Sequence, residues 1–259
     1  MLLAPLTAEE ERLYPSCDGK PMAENTEQYQ WIVLIAENLQ AIFDAREDVF
    51  IAADLLWYPI PASDRVAGEP YVQAPDVMVV FDRPKGFRMS YIQHKEAQIA
   101  PQVVFEILSA SNKTEEGLKD LQKKFEFYQR HGVEEYYIYD PLDKLFTAYQ
   151  RQGDRLVAIK TIASWVSPRL GIRFEKRSGE VLKIYDRYGD EFFRLGHFKQ
   201  QAESERLRAE QERLQKEFER QAKQAALREA LRERQEKEEA QRQVEALKAR
   251  LKALGLDLE

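Results

Sequence analysis

Between Gly196 and Gly255 the chain contains neither proline nor glycine, and all eleven of its prolines lie at or before Pro168. A stretch of that length, built mostly from Glu, Arg, Gln, Ala, Lys and Leu, has the propensity of one long helix and of little else. The chain is therefore expected to divide into a body, residues 1–198, and a helical tail, residues 199–254. Leu207, Leu214, Phe218 and Ala225 fall on a seam of threes and fours whose other positions are Gln211 and Gln221, and Val244, Leu247, Leu251 and Leu254 resume such a seam. Leu227 and Leu231 lie out of register, and residues 232–239 offer no apolar side chain, as a stutter would produce. A coiled coil that joins copies of the chain, or captures a partner, is the first reading of the tail. A solvated, salt-bridged helix with a weak seam is the other.

The formal net charge of −6 is unevenly spread. Residues 199–259 carry 15 Lys and Arg against 14 Asp and Glu, so the body holds 24 basic and 31 acidic side chains. A body this acidic excludes nucleic-acid binding by bulk attraction, and polyanion contact must come from a local basic surface or from bound cations. Cys17 is the sole cysteine, and no CxxC or Cys/His cluster exists to hold zinc. His94, His131 and His197 are scattered, which argues against histidine-metal or triad chemistry. The first residues lack a basic n-region and a long apolar run, and no segment approaches the roughly 18 apolar residues of a membrane span. The expectation is a soluble, cytoplasmic protein with no membrane contact.

Within the body, Asn25-Thr26-Glu27 opens a helix whose Trp31, Leu34, Ile35, Leu39 and Ile42 form one apolar stripe. DVFIAADLLWYP (48–59) reads as one strand and PDVMVVF (75–81) as a second, followed by a long connection from Asp82 to Ala100. PQVVFEILS (101–109) reads as a buried strand. Ser111 and Asn112 then cap a helix over about 114–130, closed by His131-Gly132. EEYYIYDP (134–141) is the next strand. Beyond it, KLFTAYQ, RLVAIKT, GIRFEKR and EVLKIYDRY suggest hairpins turning at Gly153 and Gly179. The fold class is mixed α/β (α+β), in the order helix, strand, strand, strand, helix, strand.

Two acids stand out. Asp76 opens a strand of Val and Met, and Glu106 sits in the middle of Val103-Val104-Phe105-Glu106-Ile107-Leu108. An ionised carboxylate in an apolar strand is costly unless it is paired, protonated or bound to a cation. On a two-residue period Glu106 shares its face with Val104 and Leu108 and gains no local partner. Two carboxylates on neighbouring strands would form an oxygen-rich pocket for Mg²⁺, or Mn²⁺, and such a site suits phosphodiester hydrolysis. On the following helix Asp120, Lys124 and Tyr128 recur at i, i+4 and i+8, and Lys124 could reach back over the carboxylate pair. The competing reading is a structural glutamate satisfied by backbone donors.

The order αβββαβ with Asp on the second strand and Glu on the third resembles the PD-(D/E)XK nuclease superfamily. More closely, APDVMVV, PQVVFEILSASN, the D-x-x-x-K-x-x-x-Y stripe and GVEEYYIYDP resemble the Uma-two family of restriction-endonuclease-like proteins, over about residues 25–165. The resemblance implies a restriction-endonuclease-like core and a Mg²⁺-dependent endonuclease acting on nucleic acid, with DNA as the expected substrate. It implies catalytic roles for Asp76, Glu106 and Lys124, and metal ligation by Asp76, Glu106 and the Ile107 carbonyl. Asp120 and Tyr128 match family positions as supports of Lys124. The superfamily's usual lysine two residues after the Glu is replaced by Leu108, so Lys124 takes that part, with Lys123 as fallback.

Other residues leave alternatives open. Asp54 either lines the site or points outward, and Glu37 is a candidate further carboxylate. Ser109, Ser111 and Asn112 either meet a phosphate or cap a helix, and Asp140 shapes a turn. Arg83, Lys85, Arg88 and Lys95, in the connection between the two acid-bearing strands, are expected to touch a nucleic-acid backbone, with Phe87 and Tyr91 as stacking or docking rings. The rival class is an inactive nuclease-fold scaffold that assembles through its coiled coil.

Overall fold

The computed structural model describes residues 6–160, 162–193 and 195–253, the last segment without the side chains of 195–205, 225, 226, 230 and 251–253. They form two units, a folded body ending before residue 194 and a helix from Leu195 onward.

The body is built on a six-stranded mixed sheet. β1 (Val49–Ala53), β3 (Val77–Phe81), β5 (Val103–Ile107), β6 (Glu135–Asp140), β7 (Leu145–Gln152) and β8 (Arg155–Ala158) lie side by side in that order. All neighbours are antiparallel except β5 and β6, which are parallel and joined by helix α3 (Glu115–Arg130). β3 and β5 are buried throughout, and their side chains alternate between two cores. Val77, Val79, Phe105 and Ile107 face α2 (Thr26–Ile42), whose Trp31, Ile35 and Leu39 cover that side. Met78, Val80 and Val104 face Phe127 and Tyr128 of α3. Glu106 and Asp76 fall on the α3 side by the same alternation. A small antiparallel sheet of β9 (Ser164–Val166), β10 (Arg173–Glu175) and β11 (Lys183–Tyr185) adds Phe174 and Ile184 to the α2-side core.

The helix ends have local causes. Asn25 caps α2 by accepting from the Gln28 N–H. α3 is capped by Thr114, whose hydroxyl accepts from the Gly117 N–H. Ser111 and Asn112, expected as the caps, instead lie in a 3₁₀ turn just before it. Gly117 presses on that turn so closely that a Cβ would collide with the backbone of Ser111 and Asn112. Gly132 follows the helix at a φ of 94°, the left-handed conformation in which glycine costs least. A short helix, α1 (Ala8–Leu13), begins with a Thr7/Glu10 capping box that the sequence reading passed over.

Two stretches differ from expectation. The run 48–59 is not one strand, because Asp54 adopts a φ of 50° and ends β1. The chain resumes as β2 (Trp57–Tyr58), which pairs in parallel with β4 (Tyr91–Ile92) in a separate sheet. The connection 82–100 therefore holds a strand and a 3₁₀ turn, and its Tyr91 is buried against Phe50 rather than free to stack on a base. Phe87 is exposed. β7 and β8 extend the main sheet, turning at Gly153, whereas β10 and β11 belong to the small one.

The second unit is α4 (Leu195–Ala253), beginning four residues before the expected boundary. Leu207, Leu214, Phe218, Leu227, Leu231, Val244 and Leu247 are all more than half exposed along it. The side chains of Ala225 and Leu251, and residue Leu254, lie outside the described residues, as does the side chain of His197. Among the described residues no helix is long and apolar enough to cross a membrane.

Candidate active site

The strand registers bring the acids together. Ala53 faces Val77 and Val77 faces Phe105. Continued by one residue, the β3–β5 register sets Asp76 opposite Glu106, while Asp54, just past the end of β1, donates its N–H to the Asp76 carbonyl at 3.3 Å. Opposed residues on one face hold their Cβ atoms about 5 Å apart. Asp76 and Glu106 are buried, at 8% and 3% exposure, while Asp54 opens to solvent.

Helix α3 lies over these acids and supplies the partners that strand β5 lacks. Lys124 Nζ is 2.7 Å from Glu106 Oε2, and the Tyr128 hydroxyl donates to Oε1 at 2.6 Å. Lys124 and Tyr128 are one helical turn apart, so a single helix face serves both oxygens. Asp76 Oδ2 accepts from the Ile107 N–H at 2.5 Å, and Oδ1 has no hydrogen bond among the described residues. The Ile107 carbonyl accepts from the Gln28 side-chain amide at 2.9 Å.

The charges respond to this crowding. Burial first, and then the charge of Glu106, pushes the Asp76 carboxyl well above the usual carboxylate range, against the opposing pull of Lys124 and the Ile107 N–H. Burial alone would lower the Lys124 ammonium, but Glu106 and Asp76 outweigh it and hold the group above its ordinary value. Burial and Glu106 together raise the Tyr128 hydroxyl well above its own. Asp54 is raised by burial and by the neighbouring charges of Asp18 and Glu106, partly offset by Lys124.

Asp54, Asp76 and Lys124 open onto a cleft of about 890 Å³. Its acidic lining is Asp18, Glu24, Asp54, Asp76, Glu116 and Asp120, and its basic lining is Lys20, Lys119, Lys123 and Lys124. Acids outnumber bases, so a polyanion entering here needs compensating positive charge. Asp54 lines the cleft and is exposed to solvent. Asp120 lines the cleft and helps to hold the Lys124 charge. Glu37 lies outside the cleft lining, whereas Glu24, which the sequence reading missed, takes the hydroxyls of Ser109 and Ser111 at 2.6 Å each. Asn112 Oδ1 accepts from the Ser109 N–H, and Asp140 closes a turn through the Leu142 and Asp143 N–H groups.

The expected basic loop is engaged elsewhere. Arg83 and Arg88 both pair with Glu96, which is buried at 2% exposure, and Arg88 also stacks on Phe50. Lys85 donates to the Asp44 carbonyl and Lys95 pairs with Glu10. None of the four lines the cleft. A buried carboxylate draws the nearest cations to itself, and Glu96 was the one acid at the end of that stretch.

The donor set can be tested against a metal ion. Two buried acids share one half-buried lysine, so with both ionised the site is one positive charge short. Its donors are all oxygen, with Asp76 Oδ1 uncommitted, which fits a hard divalent ion that takes few protein ligands and keeps several waters. Among the described residues no three His, Cys, Asp or Glu side chains are grouped to hold a metal. The groups here that could hold such an ion are Asp76, Glu106 and a main-chain oxygen.

Fold and site together define a mixed α/β protein in which a carboxylate pair and a helix-borne lysine meet at the edge of a cleft, as in restriction-endonuclease-like nucleases. The model of the Uma2 family, described as "putative restriction endonuclease", matches residues 8–174, and the chain belongs to that family. Among solved structures it is similar to a protein titled a putative nuclease belonging to DUF820, from Anabaena variabilis ATCC 29413. The two share 15% identity over 64% of this chain and 92% of that one, with a TM-score of 0.42. No curated protein matches the chain.

Proposed function

We propose that this chain is an endonuclease that hydrolyses phosphodiester bonds, with DNA as substrate and Mg²⁺ or Mn²⁺ as cofactor. The observation that supports it is the Glu106–Lys124 pair set beside Asp76 at the edge of an open cleft. A divalent ion held by Asp76, Glu106 and the Ile107 carbonyl would polarise the phosphate and lower the pKa of a bound water. Lys124 presents a fixed positive charge that can face the scissile phosphate or orient the attacking water. Tyr128 holds one oxygen of Glu106 and so fixes its rotamer, while Asp120 adds to the field that keeps Lys124 charged. Lys20 and Lys123, on the cleft lining, are better placed to meet the nucleic-acid backbone than the loop cations. Plasmid nicking under Mg²⁺ or Mn²⁺ titration tests the reading. Wild type should nick only with metal, and Glu106→Gln and Lys124→Met should not nick. A wild type without metal-dependent cleavage of any DNA or RNA overturns it, and cleavage of RNA alone overturns the choice of substrate.

The row of exposed apolar side chains on α4 favours an added role in assembly. A helix of 59 residues spans about 90 Å, and without a partner its apolar row stays in water. We read α4 as the element that dimerises the chain. Removing residues 195–259 should turn a dimer into a monomer in solution, and a truncated chain that is still dimeric rejects this role. A dimer with no nuclease activity would leave the scaffold reading in possession.

A further inference from the structure

We infer that Gln28 is a positioning residue, holding the Ile107 carbonyl in the direction that a cation between Asp76 and Glu106 requires. The inference rests on the reading of that acid pair as a cation site. Gln28 lies in the first turn of α2, buried on the stripe that carries Trp31 and Ile35. Packing alone would place an apolar residue there, since a buried amide left unsatisfied is destabilising. Both ends of this amide are matched. Nε2 donates to the Ile107 carbonyl at 2.9 Å, and Oε1 accepts from the Glu24 N–H at 2.9 Å. The second bond fixes which end points where, because a flipped amide would set donor against donor and acceptor against acceptor.

Residue 107 is therefore gripped on both of its polar groups. Its N–H is held by Asp76 and its carbonyl by Gln28, a residue 79 positions away in the chain. This happens just beyond Val77 and Phe105, the last residues paired between β3 and β5, so on the β3 side the Ile107 N–H and carbonyl have no ladder partner, while β6 still pairs with β5 through Ile107. A carbonyl has two lone pairs, so the bond from Gln28 orients the oxygen and leaves one pair available. The carbonyls earlier in β5 lie within the ladders to β3 and β6, and the Ile107 carbonyl lies past the end of the β3 ladder. This one follows Glu106 directly and sits next to Asp76.

The test uses the full-length chain and Mn²⁺ alone, with free Mn²⁺ read by electron paramagnetic resonance. Gln28→Met, which keeps the volume and loses the donor, should bind Mn²⁺ about tenfold more weakly than wild type while remaining folded. Affinity within twofold of wild type overturns the inference. A wild type that binds no Mn²⁺, or binding indifferent to Glu106→Gln, overturns the cation reading itself and the inference with it. Should Gln28→Met not fold, wild type decides through a Mg²⁺ titration followed by carbon NMR. The Ile107 carbonyl resonance should shift together with the carboxyl carbons of Asp76 and Glu106. A carbonyl that stays still while both carboxyls move overturns the assignment.

Discussion

Replacing Lys124 by methionine removes the cation paired with Glu106 and keeps nearly the same volume. The Glu106 side chain is 4% exposed and that of Lys124 is 19% exposed. Breaking a fully buried pair from one side costs about 3–5 kcal/mol, because the remaining charge is stranded. The partial exposure of Lys124 and the surviving bond from Tyr128 reduce this to about 2–3 kcal/mol, or roughly 5–10 °C in Tm for a unit of this size. Trp31, Trp57 and Trp165 all lie in the body, so their fluorescence in urea reports on that unit and not on α4. The decisive quantity is the coupling in a double-mutant cycle with Glu106→Gln. A neutral amide has no stranded charge, so Lys124→Met should cost far less in the Glu106→Gln background. The two changes should fall short of additivity by at least about 1.5 kcal/mol. Additivity within about 0.5 kcal/mol would refute the view that this pair is electrostatically bound into the fold.

Three further outcomes are expected. Asp76 carries a raised carboxyl pKa, so the folded body holds that proton more tightly than the unfolded chain, and stability present near pH 4 is lost as the pH climbs. Asp76→Asn should therefore gain Tm over wild type at pH 8 in EDTA, with the gain shrinking toward pH 4; a gain independent of pH contradicts this. His131, packed against Trp57 and Phe127, is pushed down to about 4 by burial and then by Arg130, so acidification from pH 6.5 toward 4 should cost the body stability. His131→Gln should flatten the Tm profile across that window, and an unchanged slope would show that other groups set it. Gly117→Ala should destabilise by about 1–3 kcal/mol through its collision with the 111–112 backbone, although alanine is the better helix former. A neutral or stabilising change in a urea titration would show that the turn yields.

Much of the site was legible because two periods cross there. The alternation of β3 and β5 puts Asp76 and Glu106 on one face, and the i, i+4, i+8 spacing of Asp120, Lys124 and Tyr128 puts the lysine above them. Both patterns are properties of the local sequence. Asp54 was harder, since FIAADLLWY carries strand propensity throughout and only the pairing of β2 with β4 shows that the chain must turn there. The loop cations misled because linear spacing cannot tell which of them a buried acid will recruit, and Glu96 takes two. Gln28 left a trace that went unused, a polar residue on the apolar stripe of α2. α4 is evident from composition alone, but a seam this interrupted does not name its partner.

The missing methyl at Gly117 has a reach beyond its own turn. It lets the front of α3 seat directly on the peptide groups of residues 111 and 112, and Lys124 stands about two turns further along the same rod. A helix is stiff over that distance, so the seat acts as a datum from which the ammonium is measured out over the strands. Retuning how far that ammonium extends across the cleft thus calls for no edit to any charged group, only a change in how the helix is docked at its near end.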